Sequence, residues 1–170
     1  MKTTHPVLPP FYSRYVDLVS DVGLLSLLEE NGRDMRAMVN SWSPEEADFR
    51  YAPDKWAARE VIMHLIDSER IFSYRALRFA RKDHTPLPGF DENSYAQFYG
   101  NDKRTLEMLI AEMKSVRDST ISLFKSFDSD ALNRRGEASG ISMTVRTIGE
   151  IIAGHELHHK KVLEEKYFPK

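Results

Sequence analysis

Three of the six histidines in this chain lie within five consecutive positions near its C-terminal end. They are His155, His158 and His159, in the stretch IIAGHELHHKK at residues 151–161. Side chains one helical turn apart stack on the same face, so the H-x3-H spacing lets the imidazoles of His155 and His159 converge on one metal ion. The spacing also arises by chance, and the alternative is a pair of ordinary core or surface histidines.

The apolar residues around this stretch favour the convergent arrangement. Each residue of a helix turns about 100°, which places His159 about 40° from His155, on the same stripe as Ile148 and Ile152. His158 falls about 60° to the other side, at the edge of that stripe. The pattern therefore predicts that His155 and His159 face the interior of the fold.

The letters HELHH also satisfy the H-E-x-x-H pattern of zinc proteases, with His155 and His159 as ligands and Glu156 as the general base. Glu156 lies about 100° from His155 around the helix, so it should point away from the buried stripe. The chain also lacks a predicted β-sheet for a protease cleft and an obvious downstream ligand. The protease interpretation is therefore disfavoured.

A third ligand should come from another helix, because two histidines alone make a weak metal site. His64 is the candidate, since it lies on the apolar side of a predicted helix in REVIMHLIDSER, residues 59–70. Of the remaining histidines, His84 lies in a long loop and His5 in an N-terminal tail that we expect to be mobile. From spacing alone, a three-histidine metal site competes with a hydrogen-bonded core histidine and a surface pair.

The elements that must position these histidines are long amphipathic helices. Apolar residues recur at helical spacing through four stretches, and no segment shows a convincing alternation of period two. The sequence therefore predicts an all-α fold, a four-helix bundle with one short extra helix that begins near Ser43. The four predicted long helices span residues 24–42, 57–81, 103–127 and 144–166.

The connection between the second and third long helices, residues 83–101, is long and rich in Pro and Gly. Its length lets it run along the whole bundle, so we expect the flanking helices to be parallel. Long connections are often functional, and the aromatic residues in or after this one either wall a pocket or pin the loop to the bundle. These residues are Phe90, Tyr95, Phe98 and Tyr99.

Composition bounds the possible partners and location. The 170 residues, 41% hydrophobic and 29% charged, fit one domain over residues 1–170, with residues 1–20 as a partly ordered extension. A net charge of −2 gives no reason to expect nucleic acid or a membrane surface as partner. The absence of cysteine excludes disulfides and a cysteine nucleophile. We expect a cytoplasmic protein, since no signal or membrane-spanning segment is evident.

Two long stretches together resemble the DinB-like superfamily, which includes the YfiT-like metal-dependent hydrolases. They are KWAAREVIMHLIDSERIFSYRALRFARKDHTPLPGFDENSY, residues 55–95, and MTVRTIGEIIAGHELHHKK, residues 143–161. The resemblance extends over about residues 20–166. Its anchors are Trp56, His64, Leu65, Asp67, the PLPGF loop and the final H-x3-H.

The resemblance implies a four-helix bundle in up-down-down-up order and frequent homodimers. It also implies a divalent metal, often nickel or zinc, bound by His64, His155 and His159. One departure is local, because relatives commonly have Ser or Thr where Ala57 stands, as an N-cap paired with Glu60. Loss of that hydroxyl removes half of a capping box, worth about 1 kcal/mol, and leaves the metal ligands untouched.

Three neutral imidazoles leave a divalent ion at least one open position, which is the pattern of catalytic zinc sites. That position suits water or a thiolate. The resemblance therefore implies a hydrolase, or a transferase that uses a low-molecular-weight thiol such as bacillithiol or mycothiol, acting on a small-molecule substrate. The alternative class is a non-catalytic metal- or ligand-binding bundle protein of the stress response.

Further polar residues on the helix of His64 are candidates for catalytic or substrate-binding roles. Arg75 lies about 20° from His64 around the helix and could hold a carboxylate or phosphate, or pair with a carboxylate inside the bundle. Glu60 and Asp67, at about −40° and −60°, could orient a ligand imidazole or form surface salt bridges. Ser68, near +40°, is another polar neighbour.

Overall fold

The computed structural model describes residues 8–19, 23–100 and 102–169. The expectation about His5 lies outside the described residues. Within them, no helix combines the length and the hydropathy needed to cross a bilayer. The helices are α1 (Pro10–Val16), α2 (Leu24–Asn40), α3 (Pro44–Asp48), α4 (Ala58–Ala80), α5 (Glu92–Tyr99), α6 (Leu106–Lys125), α7 (Ser129–Asn133) and α8 (Val145–Val162). Two strands, β1 (Arg135–Ala138) and β2 (Ile141–Thr144), precede α8, and a π-helical turn, Leu163–Tyr167, extends it.

The second and third long helices, α4 and α6, are parallel, as the long connection between them predicted. Arg70 of α4 pairs with Glu112 of α6 at 2.7 Å. Further along both helices, about one turn in α4 and about two turns in α6, Ser73 contacts Thr120 at 2.9 Å through their hydroxyls. Contacts that advance in the same direction along two helices require parallel axes.

The outer pairs of helices are antiparallel. Glu29, near the start of α2, contacts Lys125 at the end of α6 at 2.9 Å. The carbonyl of Trp56, just before α4, accepts a hydrogen bond from the hydroxyl of Tyr167, which follows α8. The bundle therefore has the up-down-down-up order that the family resemblance implied, and the predicted four-helix bundle is confirmed.

Local signals explain where the helices begin. The predicted short helix starts at Ser43, whose hydroxyl accepts from the amide of Glu46 while that glutamate accepts from the amide of Ser43. At the start of α4 only half of this arrangement exists. The carboxylate of Glu60 accepts a hydrogen bond of 2.8 Å from the amide of Ala57, but Ala57 has no hydroxyl that could accept one in return. The half capping box follows directly from the alanine.

A β-hairpin between α7 and α8 was not predicted. Its strands pair antiparallel, from Arg135 opposite Thr144 to Ala138 opposite Ile141. Each strand has only four residues, too few for a two-residue alternation to stand out in the sequence. The hairpin also fixes the long connection, because the amide of Leu87 donates to the carbonyl of Glu137 at 2.9 Å.

Candidate metal centre

His64 of α4 meets His155 and His159 of α8 in the bundle core. One potential ligand nitrogen from each ring lies within 4.8 Å of the others. The Nε2 atoms of His64 and His155 are 3.0 Å apart. The structure thus brings together the three residues that the sequence predicted as metal ligands.

Helical periodicity explains why these rings converge. His64 and Ser68 lie one turn apart on a buried face of α4. On α8, His155 and His159 are also one turn apart, on the stripe that begins with the fully buried Ile148. The antiparallel packing of the two helices then places the two stripes face to face.

Burial keeps these imidazoles neutral. It lowers the pKa of His64 from 6.5 to about 4 and that of His159 to about 3. For His155, burial is the largest cause and the neighbouring imidazoles add to it, so its pKa lies well below the usual value. Neutral imidazoles keep a nitrogen lone pair free, which is the form that binds a metal.

The geometry fits a divalent transition ion. Two nitrogens bound to tetrahedral zinc, with bonds of about 2.05 Å, stand about 3.3 Å apart, close to the 3.0 Å between His64 and His155. In addition, the buried Nδ1 of His159 has no hydrogen-bond partner among the described residues. Three converging ring nitrogens and an unpaired buried nitrogen are therefore a donor set that fits such an ion.

The polar side chain that contacts the ring of His64 is Ser68, and neither of the two predicted carboxylates does so. Its Oγ lies 3.5 Å from Nδ1 of His64, on the side away from His155. Glu60 instead forms two hydrogen bonds of 2.8 Å with the guanidinium of Arg50. The carboxylate of Asp67 accepts a hydrogen bond of 2.9 Å from the hydroxyl of Tyr99. Neither carboxylate bonds to the three histidines, so no contact supports their predicted orienting role.

The three histidines open into a cavity of about 360 Å³, within the range of small-molecule sites. Its wall is mainly aromatic, and one side comes from α1, which belongs to the N-terminal extension. His158, predicted at the edge of the buried stripe, lines it beside Tyr15, with ring centroids 5.5 Å apart. The lining residues include Phe11, Tyr12, Arg14, Tyr15, Trp56, Phe72, Phe90, Glu92, Ser139 and Ile141.

A glycine in α8 lets α1 reach the metal centre. A Cβ on Gly154 would lie 1.9 Å from the carbonyl oxygen of Tyr15, so only glycine permits this approach. The ring of Tyr15 then stands 5.1 Å from that of His155. Sequence reasoning missed the role of α1, although Gly154 inside an apolar helical stretch was an available signal for close packing.

Arg75 is buried as predicted, but no carboxylate in the described part of the chain pairs with it. Its Nη2 donates to the carbonyl of Pro88 at 2.9 Å and to Oγ of Ser139 at 3.0 Å. The aromatics of the long connection divide between the two predicted roles. Phe90 lines the cavity, and Tyr99 pins α5 to α4 through Asp67.

Glu156 points away from the histidines, as the helical angle predicted. It accepts a hydrogen bond of 2.8 Å from Nη1 of Arg117 inside the bundle. A carboxylate bound in this way is not available as a general base at the metal centre. The structure therefore agrees with rejecting the protease interpretation of H-E-x-x-H.

The sequence profile of the DinB superfamily matches residues 27–163, which include all three histidines and the four bundle helices except the first residues of α2. The chain belongs to the DinB superfamily. A candidate metal-dependent hydrolase of Oceanobacillus iheyensis is 27% identical to it over 128 residues, which is 71% of this chain and 70% of the relative. The predicted family membership is confirmed.

Two solved structures share the DinB fold of this chain. YfiT from Bacillus subtilis superposes with a TM-score of 0.70 at 17% identity, covering 83% of each chain. It is described as a probable metal-dependent hydrolase with an unusual four-helix bundle topology. The DinB-like protein YjoA from Bacillus subtilis gives a TM-score of 0.61 at 17% identity, covering 82% of this chain and 85% of the other. At these identities the likeness concerns the fold.

Proposed function

We propose that this protein is a metal-dependent hydrolase of small molecules, with a divalent transition ion held by His64, His155 and His159. The observation that carries the proposal is the convergence of three ligand nitrogens within 4.8 Å at the wall of a cavity of about 360 Å³. The similarity to the candidate metal-dependent hydrolase of Oceanobacillus iheyensis supports the same class. Zinc and nickel are the ions that we expect.

Each part of the site has a separate task in this proposal. A bound ion would supply Lewis acidity and lower the pKa of a water or thiol that reaches it. The chain's own residues would hold the ion through three neutral imidazoles, and Ser68 contacts Nδ1 of His64 at 3.5 Å on the side away from the ion. Tyr15 and Trp56 pack against the rings of His155 and His64 and restrict the access of bulk water.

A second candidate function is a transferase that uses a low-molecular-weight thiol. The ligand set favours it, since three imidazoles leave a divalent ion an open position that a thiolate can take. The chain has no cysteine, so the thiol would come from outside. A non-catalytic role would need a sealed site or a fourth protein ligand, and among the described residues no carboxylate joins the three-histidine group.

The proposal includes a small-molecule substrate and neither nucleic acid nor a membrane as partner. The net charge of −2 supports this choice. A homodimer and a cytoplasmic location stay predictions.

The first test is elemental analysis of the protein purified without a histidine tag. We expect about one equivalent of transition metal in the wild type and none in the His64→Ala/His159→Ala double variant. The matched control is His84→Ala, because His84 is an exposed histidine of the long connection. Absence of metal from the wild type, even after incubation with zinc or nickel, would contradict the proposal.

The second test separates the two activities. The metal-loaded wild type is incubated with ester, amide and phosphoester substrates, and separately with an electrophile plus a low-molecular-weight thiol. Product analysis by mass spectrometry distinguishes water addition from thiol addition. Activity that persists in the double variant would show that the three histidines are not responsible.

A further inference from the structure

The guanidinium of Arg75 is a buried positive charge without an acidic partner in the described part of the chain. Only 2% of the residue is exposed. Its Nη2 is bound to two neutral oxygens, those of Pro88 and Ser139, and its Nη1 has no partner among the described residues. Buried charges are usually paired, so this arginine indicates an anion that is not part of the protein.

This charge lies directly behind the wall of the cavity. Its Cζ is 5.5 Å from the ring centroid of Phe72 and 5.8 Å from that of Phe90, and both rings line the cavity. The charges on the lining itself, Arg14 and Glu92, have opposite signs. These two opposite charges offset each other, so the additional positive charge of Arg75 makes the cavity favour a negative group.

Ser139 connects this charge to the cavity. A guanidinium only donates hydrogen bonds, so Oγ of Ser139 is the acceptor at 3.0 Å. Its own hydroxyl hydrogen is left for another acceptor, and Ser139 is an exposed residue that lines the cavity. A hydroxyl polarised by a buried cation on one side is a strong donor toward an oxyanion on the other.

The backbone at Ser139 supports a role for its side chain. Ser139 has φ 55° and Gly140 has φ 73°, as a two-residue hairpin turn of type I′ requires. Asn, Asp and Gly are the residues preferred in such turns, and a serine in this region is strained. The position therefore carries a hydroxyl at a cost to backbone stability.

We propose that Ser139, backed by Arg75, binds an oxyanion of the substrate, a carboxylate or a phosphate, while Phe72 and Phe90 contact its apolar body. The inference names the substrate class of the metal centre, and it rests on the proposed function for the reaction that the bound substrate would undergo. The binding step itself needs only the residues of this chain.

The test compares an anionic probe with a neutral one of the same shape. Binding of phenylacetate and of phenylacetamide is measured by calorimetry at pH 7.5, on metal-loaded protein and on chelator-treated protein. We expect the wild type to bind phenylacetate roughly 10-fold more tightly in both forms, as a charge-assisted hydrogen bond permits. Phenyl phosphate is the third probe and decides which oxyanion the site prefers.

The decisive variant is Ser139→Gly, which removes the hydroxyl and relieves the positive φ, so it is expected to fold at least as stably as the wild type. We expect its preference for phenylacetate to fall to about 2-fold or less. Ser142→Ala, an exposed serine of the same hairpin, is the matched control and should keep the full preference.

Two results would overturn this inference: equal affinity of the wild type for phenylacetate and phenylacetamide, or an undiminished preference in Ser139→Gly. The chelator-treated samples separate this inference from the proposed function. If the protein prefers phenylacetate but binds no metal, the oxyanion subsite is supported and the proposed hydrolase function is contradicted. If the protein binds metal but shows no preference for phenylacetate, only the oxyanion subsite is contradicted.

Discussion

His155 and Glu156 are neighbours in the sequence, but they belong to two buried polar clusters with opposite properties. On one side of α8, the imidazole of His155 faces those of His64 and His159 and a cavity of about 360 Å³. On the other side, Glu156 pairs with Arg117 at 2.8 Å beside a void of only about 10 Å³. Such a void holds one water molecule at most.

The second cluster has its hydrogen bonds satisfied inside the protein. Arg117 donates to Glu69 at 2.9 and 2.8 Å, to Glu156 at 2.8 Å and to the carbonyl of Leu28 at 2.7 Å. Burial alone would lower the pKa of Arg117, but its two carboxylate partners outweigh burial and raise it. A paired, sealed cluster of this kind links four helices, whereas the histidine cluster has one buried nitrogen, Nδ1 of His159, without a partner among the described residues.

The largest expected effect is that of acid on the histidine cluster in metal-free protein. The folded pKa values lie below the unfolded ones, so the unfolded state binds more protons and stability falls as pH drops below 6.5. Three histidines together would cost roughly 5 kcal/mol between pH 6.5 and 5. Urea unfolding of chelator-treated protein across this range measures the loss, and equal stability at both ends would contradict it.

The next largest effect is expected at the sealed cluster. Arg117→Leu leaves the carboxylates of Glu69 and Glu156 buried without their cation and should cost about 3–5 kcal/mol. The metal content of the folded variant should nevertheless equal that of the wild type. Arg70→Leu is the control, since it breaks a half-exposed ion pair with Glu112 worth about 0–1 kcal/mol. Urea unfolding and elemental analysis test both, and metal loss in folded Arg117→Leu would show that the clusters are coupled.

A smaller effect is expected where α1 covers the metal centre. Gly154→Ala forces a methyl group against the carbonyl of Tyr15 and should cost about 1–3 kcal/mol as overpacking. Gly100→Ala is the control, because a Cβ there meets nothing within 4 Å. Thermal unfolding measures the difference, and equal melting temperatures for the two variants would mean that α1 does not hold this position.

The smallest effect on the metal-free protein is expected from His64→Leu, which replaces a buried polar ring by an apolar side chain of similar size. The gain in apolar burial and the loss of one contact to His155 should offset each other to within about 1 kcal/mol. Added zinc should raise the melting temperature of the wild type, since ligands stabilise the state that binds them, and leave the variant unchanged. An equal rise in both would exclude His64 as a ligand.

Much of the fold and the ligand set could be predicted because both depend on local periodicity. The apolar spacing located the four long helices to within about five residues, and the angle between His155 and Glu156 separated the two clusters. The hairpin and α1 could not be predicted in the same way. Their short strands and few turns carry little periodic signal, and their positions depend on contacts such as that of Leu87 with Glu137.

The sequence by itself determined the all-α class, the buried stripe with His155 and His159, and His64 as their partner, because a helix fixes which side chains share a face. Only the tertiary structure decided what surrounds them. In the folded chain α1 covers the histidine rings, Glu156 pairs with Arg117, and Arg75 donates a hydrogen bond to Ser139. Those assignments depend on distances between segments far apart in the chain, which no local pattern encodes.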